Sequence, residues 1–218
     1  MEKSDARRFP EISFKDNYYR IDFHETFQRY SNSPFNGGVG ISRYYINRHV
    51  PIDYNGETDG EIAGFLKELD LEQDLATVSL TACDTNKGLH RFTEKEDYFV
   101  HLSITGGTKN ALSIGSEGFL SQGTVNIAFI TDATLSDSSA LNLFQDIVEA
   151  KSQAFSDSRV TDSTTGRISP GTSTDSLSLF IGNSGREFSY AGRLTEIGKL
   201  ASMMVYEAVV NVIAKDCT

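Results

Sequence analysis

The sequence is poor in the residues that mark several common functional classes. It has two cysteines, Cys83 and Cys217, in 218 residues. A disulfide-stapled secreted scaffold carries more of them at regular spacing, and without a CxxC pair a thiolate zinc site is not expected. The four histidines, His24, His49, His90 and His101, show neither HExxH nor HxxxH spacing, so no protein metal site is expected. Positive charge is scarce: Lys and Arg total 20 against 30 Asp and Glu, a net charge of -10. A phosphate backbone selects basic patches, and so does an anionic bilayer. Neither nucleic acid nor a membrane is therefore an expected partner. No apolar run approaches the ~20 residues of a membrane span, and the opening MEKSDARRFPEI lacks the apolar core of a signal peptide. The expected compartment is the cytoplasm. GxGxxG, Walker, GxSxG and DxDxDG motifs are all missing, which leaves nucleotide-driven chemistry and a serine-hydrolase elbow unsupported.

What is present suits a soluble globular chain. Hydrophobic residues make up 39% of 24.0 kDa and the mean hydropathy is -0.30, enough for one domain or two small ones sharing a core. Three segments have helical periodicity without internal proline: 59–70, with Ile62, Phe65, Leu66 and Leu69 on one face, 138–155, and 195–214. Strand patterns lie at 18–23, 40–50, 76–82, 98–105, 124–131 and 176–181. In the fourth of these Val100, Leu102 and Ile104 alternate with Phe99, His101 and Ser103. The order predicts an α/β (α+β) layered sandwich, one or more mixed sheets covered by amphipathic helices, with two similar βαβ-like halves as a possibility. Residues 1–29 are expected to form an N-terminal extension or edge strand, and 30–218 a single domain.

Glycine, serine and threonine concentrate in loops at 31–40, 105–118, 163–176 and 182–192, each beside a predicted strand. Such loops are either plain turns or backbone N–H groups lining a site. Projected at about 100° per residue from Ala140, the helix at 138–155 has Leu141, Phe144, Ile147, Val148, Ala154 and Phe155 in an apolar stripe, with Lys151 at about 20°. An ammonium there needs a partner, so Lys151 is expected to meet a carboxylate, carbonyls or a ligand rather than water. Glu149, at about 180°, reads as a solvated charge. The segment PGTSTDS places the hydroxyls of Thr172, Ser173 and Thr174 beside Asp175, a pattern for nucleophile and base or for orienting acceptors. Thr131 and Asp132 leave a buried strand, and Ser136 or Asp137 is expected to cap the helix that follows. Asn36-Gly37-Gly38 lets backbone approach a ligand closely, though it is equally a turn pair.

The stretches G-T-V-N-I-A-F-I-T-D-A-T-L-S (123–136), V-E-A-K-S-Q-A-F (148–155), G-T-S-T-D-S (171–176), Y-A-G-R-L-T-E-I-G-K-L (190–200) and V-Y-E-A-V (205–209) resemble the adenosylcobinamide amidohydrolases. Upstream, N-G-G (36–38), N-R-H-V-P (47–51), L-T-A (80–82) and T-G-G-T-K-N-A (105–111) fall in the same order. The resemblance spans about residues 30 to 213. It implies cleavage of the amide joining the aminopropanol arm to the corrin ring of adenosylcobinamide, giving adenosylcobyric acid. The cobalt corrinoid is then substrate and no protein-bound cofactor is implied.

The positions carried over are Asn36, Gly37, Gly38, Thr105, Asn110, Thr124, Asn126, Asp132, Glu149, Lys151, Thr172, Thr174 and Asp175. From these, Thr174 or Thr172 is expected as nucleophile or as the residue positioning water, and Asp175 as base or orienting carboxylate. Lys151 or the Gly37-Gly38 backbone is expected to stabilise the oxyanion. One loop departs: the family's G-T-H-T-K-L-G is here Gly192-Arg193-Leu194-Thr195-Glu196-Ile197-Gly198. Leu194 stands where the family has a histidine, the usual proton carrier near neutral pH, and Arg193 is a candidate substrate contact. A non-catalytic corrinoid binder, and a hydrolase of another small amide with a threonine freed by self-cleavage, are the rival readings. A homo-oligomer is compatible with both.

Overall fold

The structure, a computed structural model, describes residues 9–54, 56–117 and 124–215. Cys217, Gly118, Gly123 and the first eight residues of the expected extension lie outside the described residues. Among the described residues the order is β1 (Glu11–Lys15), β2 (Tyr18–Ser31), β3 (Gly38–His49), α1 (Thr58–Glu68), β4 (Ala76–Thr81), β5 (Leu89–Glu94), β6 (Phe99–Gly106), β7 (Val125–Thr131), β8 (Thr134–Leu135), α2 (Asp137–Asp157), β9 (Ser176–Ile181), β10 (Glu187–Phe188) and α3 (Glu196–Lys215). The predicted mixed α/β architecture is what forms.

One sheet runs β4-β3-β2-β9-β7-β6-β5, with β1 added to β2, and β8 pairs with β10 in a two-stranded sheet. Two crossovers build it. β3-α1-β4 and β7-α2-β9 each join neighbouring parallel strands through a helix, because parallel neighbours need a long connection. The remaining main-sheet pairs are antiparallel. β2 lies between β3 and β9, so residues 18–31 belong to the interior of the sheet. β2 is interrupted by a bulge where pairing shifts between Asp22 and Phe27. His24 there has φ 66 and its N–H is held by Asp22 Oδ1 at 2.7 Å.

The sheet curls strongly. Its two wings meet where Asn126 of β7 donates to Asn47 Oδ1 of β3 and to the Leu80 carbonyl of β4, each at 2.8 Å. Strand alternation then sorts side chains between the faces. Val100, Leu102, Ile104, Ile127, Phe129, Leu177 and Leu179 face α2 and α3 in the largest core cluster. Ile46, Val78 and Leu80 face α1. The inner face is apolar at one end, with Phe23, Phe27, Phe99, Ile130 and Phe180, and polar at the other.

α3 is long and apolar enough to cross a membrane by length and composition. Here Ile197, Ala201, Val205, Ala208 and Val212 are buried in the core shared with α2 and the sheet, as in a core helix of a globular protein. Among the described residues no group of three or more His, Cys, Asp or Glu is placed to hold a metal ion.

Candidate functional site

Lys151 and Asp175 meet. α2 starts at Ser136, whose Oγ accepts the Ser139 N–H, and runs back along the β7–β9 pair. Ala140, Leu143, Ile147, Ala150 and Ala154 are its buried side. The small residues let the helix sit close to the sheet, and Lys151, on the flank of that side, reaches the N-terminal end of β9. Its Nζ donates to Asp175 Oδ2, and the two side chains are 14% and 16% exposed. Lys151 is thus paired, as an ammonium flanking an apolar face must be.

Asp175 is the hub. Beside Lys151 it accepts the Thr172 hydroxyl at 2.5 Å and the Val125 N–H at 3.1 Å on Oδ1, and the Thr172 N–H at 3.2 Å on Oδ2. Four donors fill the four acceptor positions of a carboxylate. Gly171 passes directly beneath. A β-carbon there would run into Asp175 Oδ2 and Lys151 Nζ, so the close approach itself requires glycine. The loop is fixed by Leu112 N–H to the Gly171 carbonyl at 3.1 Å and by Thr124 Oγ1 to the Thr174 carbonyl at 2.6 Å.

Further support comes from Asp162. Its carboxylate takes the Ser113 N–H and hydroxyl and the Thr164 and Thr165 N–H groups, and the Ser113 N–H first, then the Ser116 hydroxyl and the Thr164 N–H, hold it far below the usual carboxylate range. It ties the loop before α2's partner strand to the 110s segment, and so sets where Gly171 and Thr172 stand.

Two hollows flank the hub and share Asn32, Asp175 and Ser176. The larger, about 290 Å³, is also bordered by Pro34, Tyr54, Thr58, Asn126 and Thr174. The smaller, about 140 Å³, is also bordered by Phe144, Ile147, Val148 and Lys151. Asn32 was not marked by any motif. Its Nδ2 donates to the Asp175 carbonyl at 3.1 Å and its Oδ1 accepts the Leu177 N–H at 2.6 Å, so it clamps the backbone on both sides of the hub. The only signal in the sequence was its position in the polar 31–40 loop.

Behind the hub lies a buried hydroxyl cluster: Ser33 Oγ is within 2.8–3.0 Å of Ser79, Ser176 and Ser178. Asn126 lines the larger hollow and continues this polar end inward. Asn47 bridges it to Thr105 Oγ1 at 2.6 Å. Asn110 approaches from the 110s loop and donates to Thr174 Oγ1 at 3.4 Å and Ser173 Oγ at 3.2 Å. Lys151, Asp175, Thr172, Thr174, Asn110, Asn126 and Thr124 therefore form one neighbourhood.

Six expected contact residues stand elsewhere. Thr105 is 1% exposed inside the curled sheet and serves Asn47 rather than a cleft. Asp132 lies just past the far end of β7, eight residues and roughly 26 Å along the strand direction from Thr124, where its Oδ1 accepts the Phe99 N–H at 2.7 Å. Asn36 takes φ 49 and spends its amide on the Gln73 and Ala76 carbonyls at 2.6 and 2.8 Å. Gly38 has φ 80, and a β-carbon on Gly37 would meet the Ser33 carbonyl. The N-G-G motif is thus turn geometry leading into β3, and it borders neither hollow.

Arg193 is the last. It lies across the α2–α3 groove, 2.7 Å from Glu149 Oε2 and 3.6 Å from Asp146 Oδ1. Glu149 is therefore an ion-pair partner, not a free surface charge. Burial raises the Asp146 carboxyl above its usual value, Arg193 opposes this and Glu149 adds to it. Leu194 is fully exposed.

The adenosylcobinamide amidohydrolase family model matches residues 3–218. A Methanosarcina mazei protein named adenosylcobinamide amidohydrolase is 28% identical, over 80% of this chain and 84% of its own. An uncharacterised protein of Methanocaldococcus jannaschii is 25% identical, over 79% of this chain and 77% of its own. The match takes in the Gly171–Asp175 loop, Lys151 and the N-terminal strands alike, and on that span the chain belongs to the adenosylcobinamide amidohydrolase family.

Proposed function

We propose that this protein hydrolyses the amide between the aminopropanol arm and the corrin ring of adenosylcobinamide, releasing adenosylcobyric acid in the cytoplasm as a step of corrinoid salvage. Family membership supports the reaction class. The observation that carries the residue assignment is the Thr172–Asp175–Lys151 hub beside two hollows.

Of the four donors to Asp175, two backbone N–H groups, the Lys151 ammonium and the Thr172 hydroxyl, only Thr172 is a hydroxyl that becomes a nucleophile by passing its proton to the carboxylate. Thr172 is accordingly the nucleophile. Its Oγ attacks the amide carbonyl while its proton passes to Asp175. The C–N bond breaks, the amine leaves with that proton, and water then hydrolyses the threonine ester to regenerate the hydroxyl. Lys151 has three donors and commits one to Asp175, leaving donors for the developing oxyanion. Thr174, Asn110 and Asn126 supply neutral polar contacts suited to a ligand rich in amides.

The test is incubation of purified protein with adenosylcobinamide, with products separated by chromatography. Wild type is expected to yield adenosylcobyric acid and the free amine, and Thr172→Ala, Asp175→Asn and Lys151→Ala to lose at least roughly 100-fold in kcat. Near-wild-type rates in all three reject the assignment. A second reading, retention without cleavage, follows from the resemblance, which implies a histidine where this chain has Leu194. A coloured ligand that stays bound and intact on wild type supports that reading against hydrolysis.

A further inference from the structure

Asn32 follows the last pair of the β2–β9 ladder, Ser31 with Ser178. The next pair of an antiparallel ladder exchanges two main-chain hydrogen bonds. Asn32 makes one of them normally, its backbone N–H donating to the Leu177 carbonyl at 3.1 Å. For the other, its side-chain Oδ1 replaces its own carbonyl and accepts the Leu177 N–H at 2.6 Å. This fixes which way the amide faces. A backbone N–H needs an oxygen, so Oδ1 points to Leu177 and Nδ2 to the Asp175 carbonyl, 3.1 Å away.

An amide nitrogen carries two hydrogens. The Nδ2 groups of Asn36, Asn47, Asn110 and Asn126 each serve two acceptors. Asn32 Nδ2 serves one among the described residues, which leaves one N–H uncommitted. That N–H stands at the hub. Asn32 is exposed, and it borders both hollows together with Asp175 and Ser176, whereas Lys151 borders the smaller alone.

Hydrolysis of an amide puts negative charge on its carbonyl oxygen, and a donor already fixed in place stabilises that charge without reorganising. Asn32 meets this requirement, because three hydrogen bonds hold it to the 175–177 backbone. We infer that Asn32 gives its remaining N–H to the carbonyl oxygen of the scissile amide as that oxygen becomes negative, a neutral donor beside the Lys151 ammonium. No proton leaves Asn32, so the proton path from Thr172 to Asp175 is unchanged. This rests on the function proposed above and adds a catalytic residue to it.

The experiment is steady-state cleavage of adenosylcobinamide by the full chain, with three variants beside wild type. Asn32→Ala removes the donor. Asn32→Asp keeps an oxygen for the Leu177 N–H but has no N–H to give. Asn36→Gly controls for the loss of a backbone clamp: it removes two amide hydrogen bonds in the neighbouring turn, and glycine adopts φ 49 there without strain. A donor in a water-excluded site contributes roughly 100- to 1,000-fold. Asn32 keeps contact with solvent, so both Asn32 variants are expected to lose at least about 10-fold in kcat. KM should stay within about three-fold, since the contact strengthens only in the transition state. Asn36→Gly should retain the wild-type kcat. A kcat within about three-fold of wild type in either Asn32 variant overturns the inference, and if Thr172→Ala and Asp175→Asn are inactive the hydrolase reading stands without it. Parallel changes in kcat and KM would make Asn32 a clamp on the walls of the two hollows and overturn its role as donor. An equal fall in Asn36→Gly would assign the loss to the fold and also overturn it. A wild-type protein that leaves adenosylcobinamide intact sinks the proposed function and this role together.

Discussion

At Gly171 the Lys151–Asp175 pair and the backbone compete for the same space. The close approach to Lys151 and Asp175 leaves no volume for a methyl group. Gly171→Ala should therefore displace the pair while the rest of the fold persists. Displacements of about 1 Å at a reacting centre cost on the order of 100-fold, so kcat is expected to fall by that order with little change in the far-UV circular dichroism spectrum. Asp175→Ala tests the same hub thermodynamically. It strands four donors, Lys151 among them, and should cost about 2–4 kcal/mol in denaturant unfolding. A loss under about 0.5 kcal/mol, the range of plain surface substitutions, would contradict the hub. Lys151 and Asp175 were legible in the sequence for physical reasons: a charge near an apolar stripe, and a carboxylate among hydroxyls. Asn32 was not, because an asparagine that clamps backbone looks the same in sequence as one in a turn. Asp132 and Thr105 misled because buried polar residues that satisfy backbone or side-chain groups inside a sheet carry the same residue types as a site.

Among the elements, the three helices and five of the six predicted strands emerge near their predicted limits, since each has a single strong periodicity. β9 spans the predicted 176–181, and α2 extends the predicted helix by one residue at its start and two at its end. The departures have local causes. β1 and β5 escaped because both are short, partly exposed and largely polar: EISFK alternates over only five residues, and LHRFTE lacks the apolar alternation that identifies a strand. β2 continues to Ser31 because the bulge at 22–27 resets its pairing and so hides the repeat. On α2 the projected stripe was rotated. Leu141 and Val148 are 57% and 39% exposed while Ala150 is 8%, because tight seating on the sheet selects the small residues and leaves the larger flank facing the groove. The capping of α2 gives an element-scale expectation. Ser136 holds the Ser139 N–H, so Ser136→Ala should lower stability by about 1 kcal/mol, read as a lower thermal midpoint with unchanged cleavage kinetics.

For the molecule as a whole, the curled sheet has to close over a mixed interior, and its acid sensitivity follows from that. Asn47, Thr105, Asn126 and the serine cluster satisfy one another across the polar end. A chain of contacts runs on from Asn47 through Tyr19 to Ser103 and His90 Nδ1, the last two 2.8 Å apart. His90 lies edge-on to the Phe14 and Tyr19 rings, and His101 edge-on to Phe92. Burial lowers His90 to about 4, and burial reinforced by the neighbouring His90 lowers His101 to about 4, from 6.5. Between those values the unfolded chain binds protons that the folded one refuses. Stability is then full above about pH 6.5 and falls as the pH drops toward about 4, each histidine contributing about 1.4 kcal/mol per pH unit inside that window. His101→Leu keeps the site apolar and removes one of the two proton acceptors. Urea unfolding at pH 7, 6 and 5 should show a shallower fall for this variant than for wild type. Parallel pH profiles for the two would mean that His101 is protonated in the folded chain, and that the closed interior described here admits water.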